Sequence, residues 1–169
     1  KQRLLNYLNY ENHLLTQVLI NEAIINEEIF KVYELNENDI QMVLDKEGKS
    51  VGSLFLEINA KEAYLKEQTD NLKLDFIQEY INNLPVEEFD TQSKEQIILQ
   101  FESIYQGNSN IEEFCIKYQV NPINVWYWFK ESRTLPKQRM NDIAMEFLAD
   151  MLREILMEDD DGIVPLVPN

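Results

Sequence analysis

The sequence predicts an all-α protein: a multi-helix globular domain with a helix-turn-helix-like pair near residues 111–131 and a long C-terminal helix. Three observations carry this. Only four glycines and five prolines interrupt 169 residues, too few for the many turns of a sheet. The chain is rich in Leu, Ile, Glu, Gln and Lys, a composition that favours long helices. Apolar residues also recur at three- and four-residue intervals along most of it.

In the first 33 residues, Leu4, Leu5, Leu8, Leu14, Leu15, Val18, Leu19, Ala23, Ile24, Ile25, Ile29, Phe30 and Tyr33 read as one long helix, or as two with a break near Tyr10 to Asn12. Asn36 is placed to cap a second helix, with Glu37 and Asp39 in its first turn, where the helix dipole favours negative charge. Ile40, Val43 and Leu44 give it an apolar side, and Gly48 stops it. Residues 49–58, with Gly52 among Val51, Leu54, Phe55 and Leu56, are the least helical stretch, a loop or a short extended segment. Helices resume over 61–67 and 70–83, ending before Pro85. Val86 to Asp90 forms an acidic connector, and Thr91 caps a helix through Ile97, Ile98, Phe101, Ile104 and Tyr105 that ends at Gly107. Pro136 opens the last helix. It carries Ile143, Met145, Phe147, Leu148, Met151, Leu152, Ile155 and Leu156, a wide apolar stripe that calls for burial against several neighbours. Two helical subdomains, 1–84 and 85–169, or one continuous domain, accommodate these elements.

Between them, Phe114, Cys115 and Tyr118 share one face of a short helix, Val120 plugs a turn, and Val125 with Trp128 or Phe129 returns a second helix onto the first. Asn121 serves as N-cap and Pro122 occupies the first turn, where a missing N–H costs nothing. Gln119 stands where tight turns often have glycine, so a looser turn is expected. A DNA-reading helix would present donors and acceptors to base edges, whereas Pro122, Ile123, Trp126 and Tyr127 offer few. Amphipathic logic therefore favours two core helices over a groove reader.

The formal charge of −16 is uneven, with nine basic and twenty acidic residues over 1–109, five and three over 110–139, and one and eight over 140–169. Lys117, Lys130, Arg133, Lys137 and Arg139 form the only basic island and are the candidate DNA-phosphate contacts. Trp126, Tyr127 and Trp128 are candidate partner-binding residues because large amphipathic rings dominate interface hot spots. The lone Cys115 excludes an internal disulfide, fits a reducing compartment, and reads as a small buried hydrophobe.

Catalytic chemistry is hard to assemble. The single histidine, His13, sits among polar neighbours and is expected at the surface; alone it supports neither a metal cluster nor a triad. No glycine-rich phosphate loop or dinucleotide fingerprint occurs. Asp159, Asp160 and Asp161 lack the alternate spacing of an EF-hand loop. Asn121-Pro122-Ile123-Asn124 has the outline of the adenine methyltransferase catalytic loop, but it follows a helix and lacks the stacking aromatic. No catalytic, cofactor or metal residue is assigned. No apolar run approaches the roughly 20 residues that span a bilayer, so a cytoplasmic protein without membrane contact is expected. A start at Lys1, already in a helical pattern, is expected of a piece of a longer protein.

Two stretches carry a resemblance. Ile25-Asn26-Glu27-Glu28-Ile29-Phe30-Lys31-Val32-Tyr33-Glu34-Leu35-Asn36-Glu37-Asn38-Asp39-Ile40 resembles a phrase near the end of the specificity regions of large adenine-specific DNA methyltransferases, the type IIG restriction–modification enzymes and the PglX proteins of BREX phage defence. Asn121 to Lys130, continued by Asp159-Asp160-Asp161-Gly162-Ile163-Val164-Pro165-Leu166, is similar to a C-terminal portion of the same proteins. The resemblance implies a helical accessory region downstream of a core that binds S-adenosylmethionine and methylates adenine N6. None of the family's catalytic or cofactor residues falls on this sequence. DNA, in the context of the whole enzyme, and other defence proteins are the implied partners. A rival reading is an acidic DNA mimic, motivated by the net charge. A protein–protein module built on the aromatic trio is another.

Overall fold

A helix that is apolar over most of its surface must be surrounded, and the sequence contains one. Pro122, Ile123, Val125, Trp126, Trp128 and Phe129 are all buried, and Tyr127, Lys130 and Glu131 form the edge that reaches solvent. The rest of the fold is what surrounds it.

The computed structural model describes residues 1–67 and 74–157. Among them are eight α-helices: α1 (Gln2–Val32), α2 (Glu37–Glu47), α3 (Ile58–Glu67), α4 (Asp75–Asn83), α5 (Thr91–Ile98), α6 (Ile111–Tyr118), α7 (Pro122–Ser132) and α8 (Lys137–Met157). Val51–Ser53 and Phe101–Tyr105 form 3₁₀ turns. The described residues contain no sheet, only an isolated parallel bridge between Leu56 and Val86. The protein is all-α, as its composition predicts.

The chain forms two compact units, Lys1–Thr134 and Leu135–Asn169. In the first, α7 is a wedge between two apolar clusters. Val125, Trp128 and Phe129 join Leu19, Val51, Phe101, Ile104, Ile111, Phe114, Cys115 and Val120. Ile123 and Trp126 join Ile20, Leu56, Ala60, Tyr64, Ile77, Ile81 and Leu84. Both clusters mix residues from either side of position 84. The expected boundary there does not divide the core, because α7 is buried against the N-terminal half.

The N-terminal edge of α7 is fixed by its two asparagines. Asn121 Oδ1 accepts from the Ile123 N–H at 2.9 Å, while its Nδ2 donates to the Gly52 and Leu54 carbonyls at 3.2 and 2.8 Å. Asn124 Nδ2 donates to the Phe55 carbonyl at 3.1 Å, and its Oδ1 accepts from the Glu57 N–H at 2.9 Å. Buried amides are tolerated when every polar atom is used, as here. Thr16 on α1 completes the contact by donating to the Pro122 carbonyl at 3.3 Å. The Asn-Pro-Ile-Asn run is thus a backbone clamp on residues 52–57.

Several local expectations are corrected. Of the two readings of the first 33 residues, the single long helix is the one observed: α1 runs through residues 10–12, where Asn12 faces inward and accepts from the Tyr105 hydroxyl at 3.0 Å. α3 begins at Ile58, three residues early. Residues 70–73 of the expected fourth helix lie outside the described residues. Asp90, not Thr91, caps α5, accepting from the Gln92 and Ser93 N–H groups. That helix ends at Ile98, and Phe101–Tyr105 continues as a 3₁₀ turn. The turn after α6 is tight rather than loose: Gln119 adopts φ 51°, and the Val120 and Gln119 N–H groups bond the Cys115 and Ile116 carbonyls as in a Schellman cap.

Gly52 lies against α1. A Cβ there would stand 2.6 Å from the Leu19 carbonyl oxygen and 2.9 Å from the Ala23 Cβ. Both obstacles belong to the core-facing side of a 31-residue helix, so they cannot step aside cheaply. Gly52→Ala is expected to destabilise the protein by about 2–3 kcal/mol, more than ordinary overpacking at a flexible site. Urea denaturation of the two proteins checks this.

Candidate interaction surfaces

The pair α6–α7 has the outline of a helix-turn-helix, with Phe114, Cys115 and Val120 buried where the pattern puts them. Its second helix, however, exposes a narrow edge, at Tyr127, Lys130 and Glu131, and keeps the face that would read a groove inside the core. Trp126 and Trp128 are buried at 1% and 0% exposure, and only Tyr127 is partly exposed. Of the expected partner-binding residues, Trp126 and Trp128 are interior side chains and Tyr127 keeps part of its surface exposed. Trp126 packs edge-on against Tyr64 and His13. Trp128 meets Phe89 and donates its indole N–H to Glu57.

Of the candidate phosphate contacts, the three within Lys1–Thr134 fall in two separate places. Lys117 is exposed at the end of α6, over the Tyr118 ring, in a small cleft with Ser109, Asn110 and Glu113. Lys130 pairs with Glu67 at 2.6 Å and lies over the Trp126 ring. Arg133 closes α7 in the left-handed region, φ 53°, and donates to the Gln2 side chain at 2.8 Å. Lys130 and Arg133 share an open cleft with Gln2, Asn6, Asn9 and Glu131. With Glu67 bound to Lys130, two carboxylates accompany two cations there, and such a site exerts little pull on a polyanion. Lys137 and Arg139 lie in the second unit on α8, where Arg139 pairs with Glu146 at 3.0 Å.

His13 is not at the surface. Its ring is buried, stacked on Tyr64 with centroids 4.6 Å apart and edge-on to Trp126 at 5.6 Å. Neither His13 Nδ1 nor Trp126 Nε1 has a protein hydrogen-bond partner. The polar neighbours in sequence concealed this. Spacing reveals it, because His13, Thr16 and Ile20 stand at i, i+3 and i+7 on one side of α1. Burial of the imidazole lowers its pKa below 6.5, the nearby Glu67 raising and Lys130 lowering it in smaller measure. Among the described residues, no group of three or more His, Cys, Asp or Glu side chains could hold a metal ion.

A half-buried charged group also escaped the sequence reading. The Glu57 carboxylate holds Lys94 Nζ at 3.1 Å and the Trp128 indole, and Lys94 lies over the Trp128 and Tyr127 rings. This ties the start of α5 to α7 and to the loop before α3. It is an anchoring network between three elements.

The clearest unused surface is on α1. Its inward face holds Leu5, Leu8, Asn12, Thr16, Leu19 and Ala23. Tyr7, Leu14, Val18, Ile25, Ile29 and Val32 recur at the same helical spacing on the opposite side, and all are exposed. Toward its C-terminal end, a cavity of about 370 Å³ opens between α1 and α2, walled by Ala23, Phe30, Ile40, Val43 and Leu44. Comparison with known proteins finds no matching family model, no matching curated protein and no matching solved structure.

The buried imidazole makes stability depend on pH. Its folded pKa lies below its unfolded value, so the unfolded chain binds the extra proton. The stability it contributes is fully present above about pH 6.5 and falls as pH drops through the folded pKa. The slope for one proton is at most about 1.4 kcal/mol per pH unit. His13→Leu is expected to flatten the loss between pH 6.5 and 5, read by denaturant melts at each pH.

Proposed function

We propose that this chain is a non-catalytic helical accessory region of an adenine-specific DNA methyltransferase of the restriction–modification or BREX type, and that it works by docking protein surfaces. The family part rests on the two resembling stretches, Ile25 to Ile40 and Asn121 to Lys130 with Asp159 to Leu166. Within that reading, S-adenosylmethionine and the methyl-transfer residues belong to another part of the enzyme. DNA is met there too.

The docking part rests on one observation, the second apolar face of α1. A stripe running from Tyr7 to Val32 covers about 25 residues of helix, or roughly 37 Å at 1.5 Å per residue. Apolar patches of that extent on a folded unit mark interaction sites. The occupant proposed is an apolar surface of the methyltransferase itself. No helix among the described residues is long and apolar enough to cross a membrane, and α1 carries Glu11, Asn21 and Glu22 along the same side. The first half of the resembling phrase, Ile25 to Val32, lies on this helix.

Val18→Asp combined with Ile25→Asp should leave the thermal unfolding of the isolated chain unchanged, since both side chains are exposed. In a complementation assay, the wild-type chain is supplied in trans to a methyltransferase lacking this region. It is expected to bind, and the double variant to bind at least tenfold more weakly, about 1.4 kcal/mol. Equal binding by both, or none by either, removes the docking reading.

Triple charge reversal at Lys130, Arg133 and Lys137 should leave the DNA affinity of the whole enzyme unchanged, measured by titration of a fluorescent duplex at two salt concentrations. A uniform loss across sequences, with the salt slope reduced by about one per contact, would restore the phosphate-binding role of the island.

A further inference from the structure

α8 carries the wide apolar stripe that its sequence displays, yet none of its residues is buried. Met145, Leu148, Leu152 and Ile155 fall at the three-four-three spacing of a coiled-coil seam, with Met151 and Leu156 beside it, all exposed. Asp150, Arg153 and Glu154 occupy the other side, where Arg153 pairs with Asp150 at 2.7 Å. This is a helix built to be covered along one side.

We infer that α8 pairs with α8 of a second copy of this chain, in antiparallel orientation. The seam is self-complementary about Asp150. Antiparallel pairing sets Met145 opposite the second copy's Ile155 and Leu148 opposite its Leu152, so each layer joins unlike residues of matching size. Charge selects the direction. The start of the helix balances Lys137 and Arg139 against Asp142 and Glu146, whereas its far end carries Glu154 and the sequence continues with Glu158, Asp159, Asp160 and Asp161. Parallel pairing would bring two acidic ends together, while antiparallel pairing brings each acidic end to a start of no net charge and opposes the helix dipoles. Six such side chains from each copy remove on the order of 1,000 Å² from water, the size at which a specific interface becomes stable.

Sedimentation equilibrium of the whole chain tests the pairing. The wild type is expected to be a dimer at micromolar concentrations. Leu148→Glu with Leu152→Glu is expected to be a monomer whose main thermal transition is unchanged, because neither side chain is part of the core of Lys1–Thr134. Direction is read by oxidation. A Met145→Cys, Ile155→Cys double variant should form an intermolecular disulfide readily and Leu148→Cys poorly, and the native Cys115 is buried and does not compete. A monomer at every concentration, a dimer that survives the Leu148 and Leu152 changes, or rapid cross-linking of Leu148→Cys overturns the inference. A dimer abolished instead by Val18→Asp and Ile25→Asp would also overturn it, and would assign self-association to α1.

Discussion

The clamp between the start of α7 and the backbone of residues 52–57 is the constraint on which the fold of the first unit depends. A loop crossing the middle of a helical core brings peptide groups that helices cannot satisfy, and each one left unpaired costs on the order of 1–3 kcal/mol. Asn121 and Asn124 resolve this with amide groups that donate and accept at once, meeting four peptide groups of the loop. The loop in turn can lie against α1 only because residue 52 has no side chain. One end of α7 thereby sets the distance between α1, the loop and itself. The rings of Trp126 and Trp128 then fill the space on either side.

That arrangement decides what the helix-turn-helix outline means. The same spacing of apolar residues serves a groove reader and a core hairpin, and what separates them is the outer face of the second helix. Here that face packs into Tyr64, Ile77 and Ile81 on one side and Phe101 and Phe114 on the other. Function is therefore sought on what remains exposed. α1 and α8 each present an ordered apolar stripe, while within Lys1–Thr134 Lys117 stands apart from Lys130 and Arg133 and each place also holds carboxylates.

Much of the architecture was legible in the residues. The caps at Asn36 and Asn121, the stop at Gly48, the plug at Val120 and the burial of Cys115 all follow from short-range rules that depend on neighbours in sequence. What could not be read were contacts made at a distance. His13 looked exposed because its sequence neighbours are polar, yet its partners, Tyr64 and Trp126, are 51 and 113 residues away. Trp126 and Trp128 looked like hot-spot residues because burial by distant elements has no local signature. α8 was the reverse case: a stripe that calls for burial was legible, and nothing local distinguishes burial in the same chain from burial by another molecule.

The central claim is that α7 is an interior helix. Native-state hydrogen exchange on the whole chain tests it most directly. The amides of Trp126 to Phe129 are expected to exchange only through global unfolding, at the slow limit of the protein and unaffected by added duplex DNA. Exchange of these amides at rates typical of a solvent-facing helix, or their selective protection by DNA, would contradict the account.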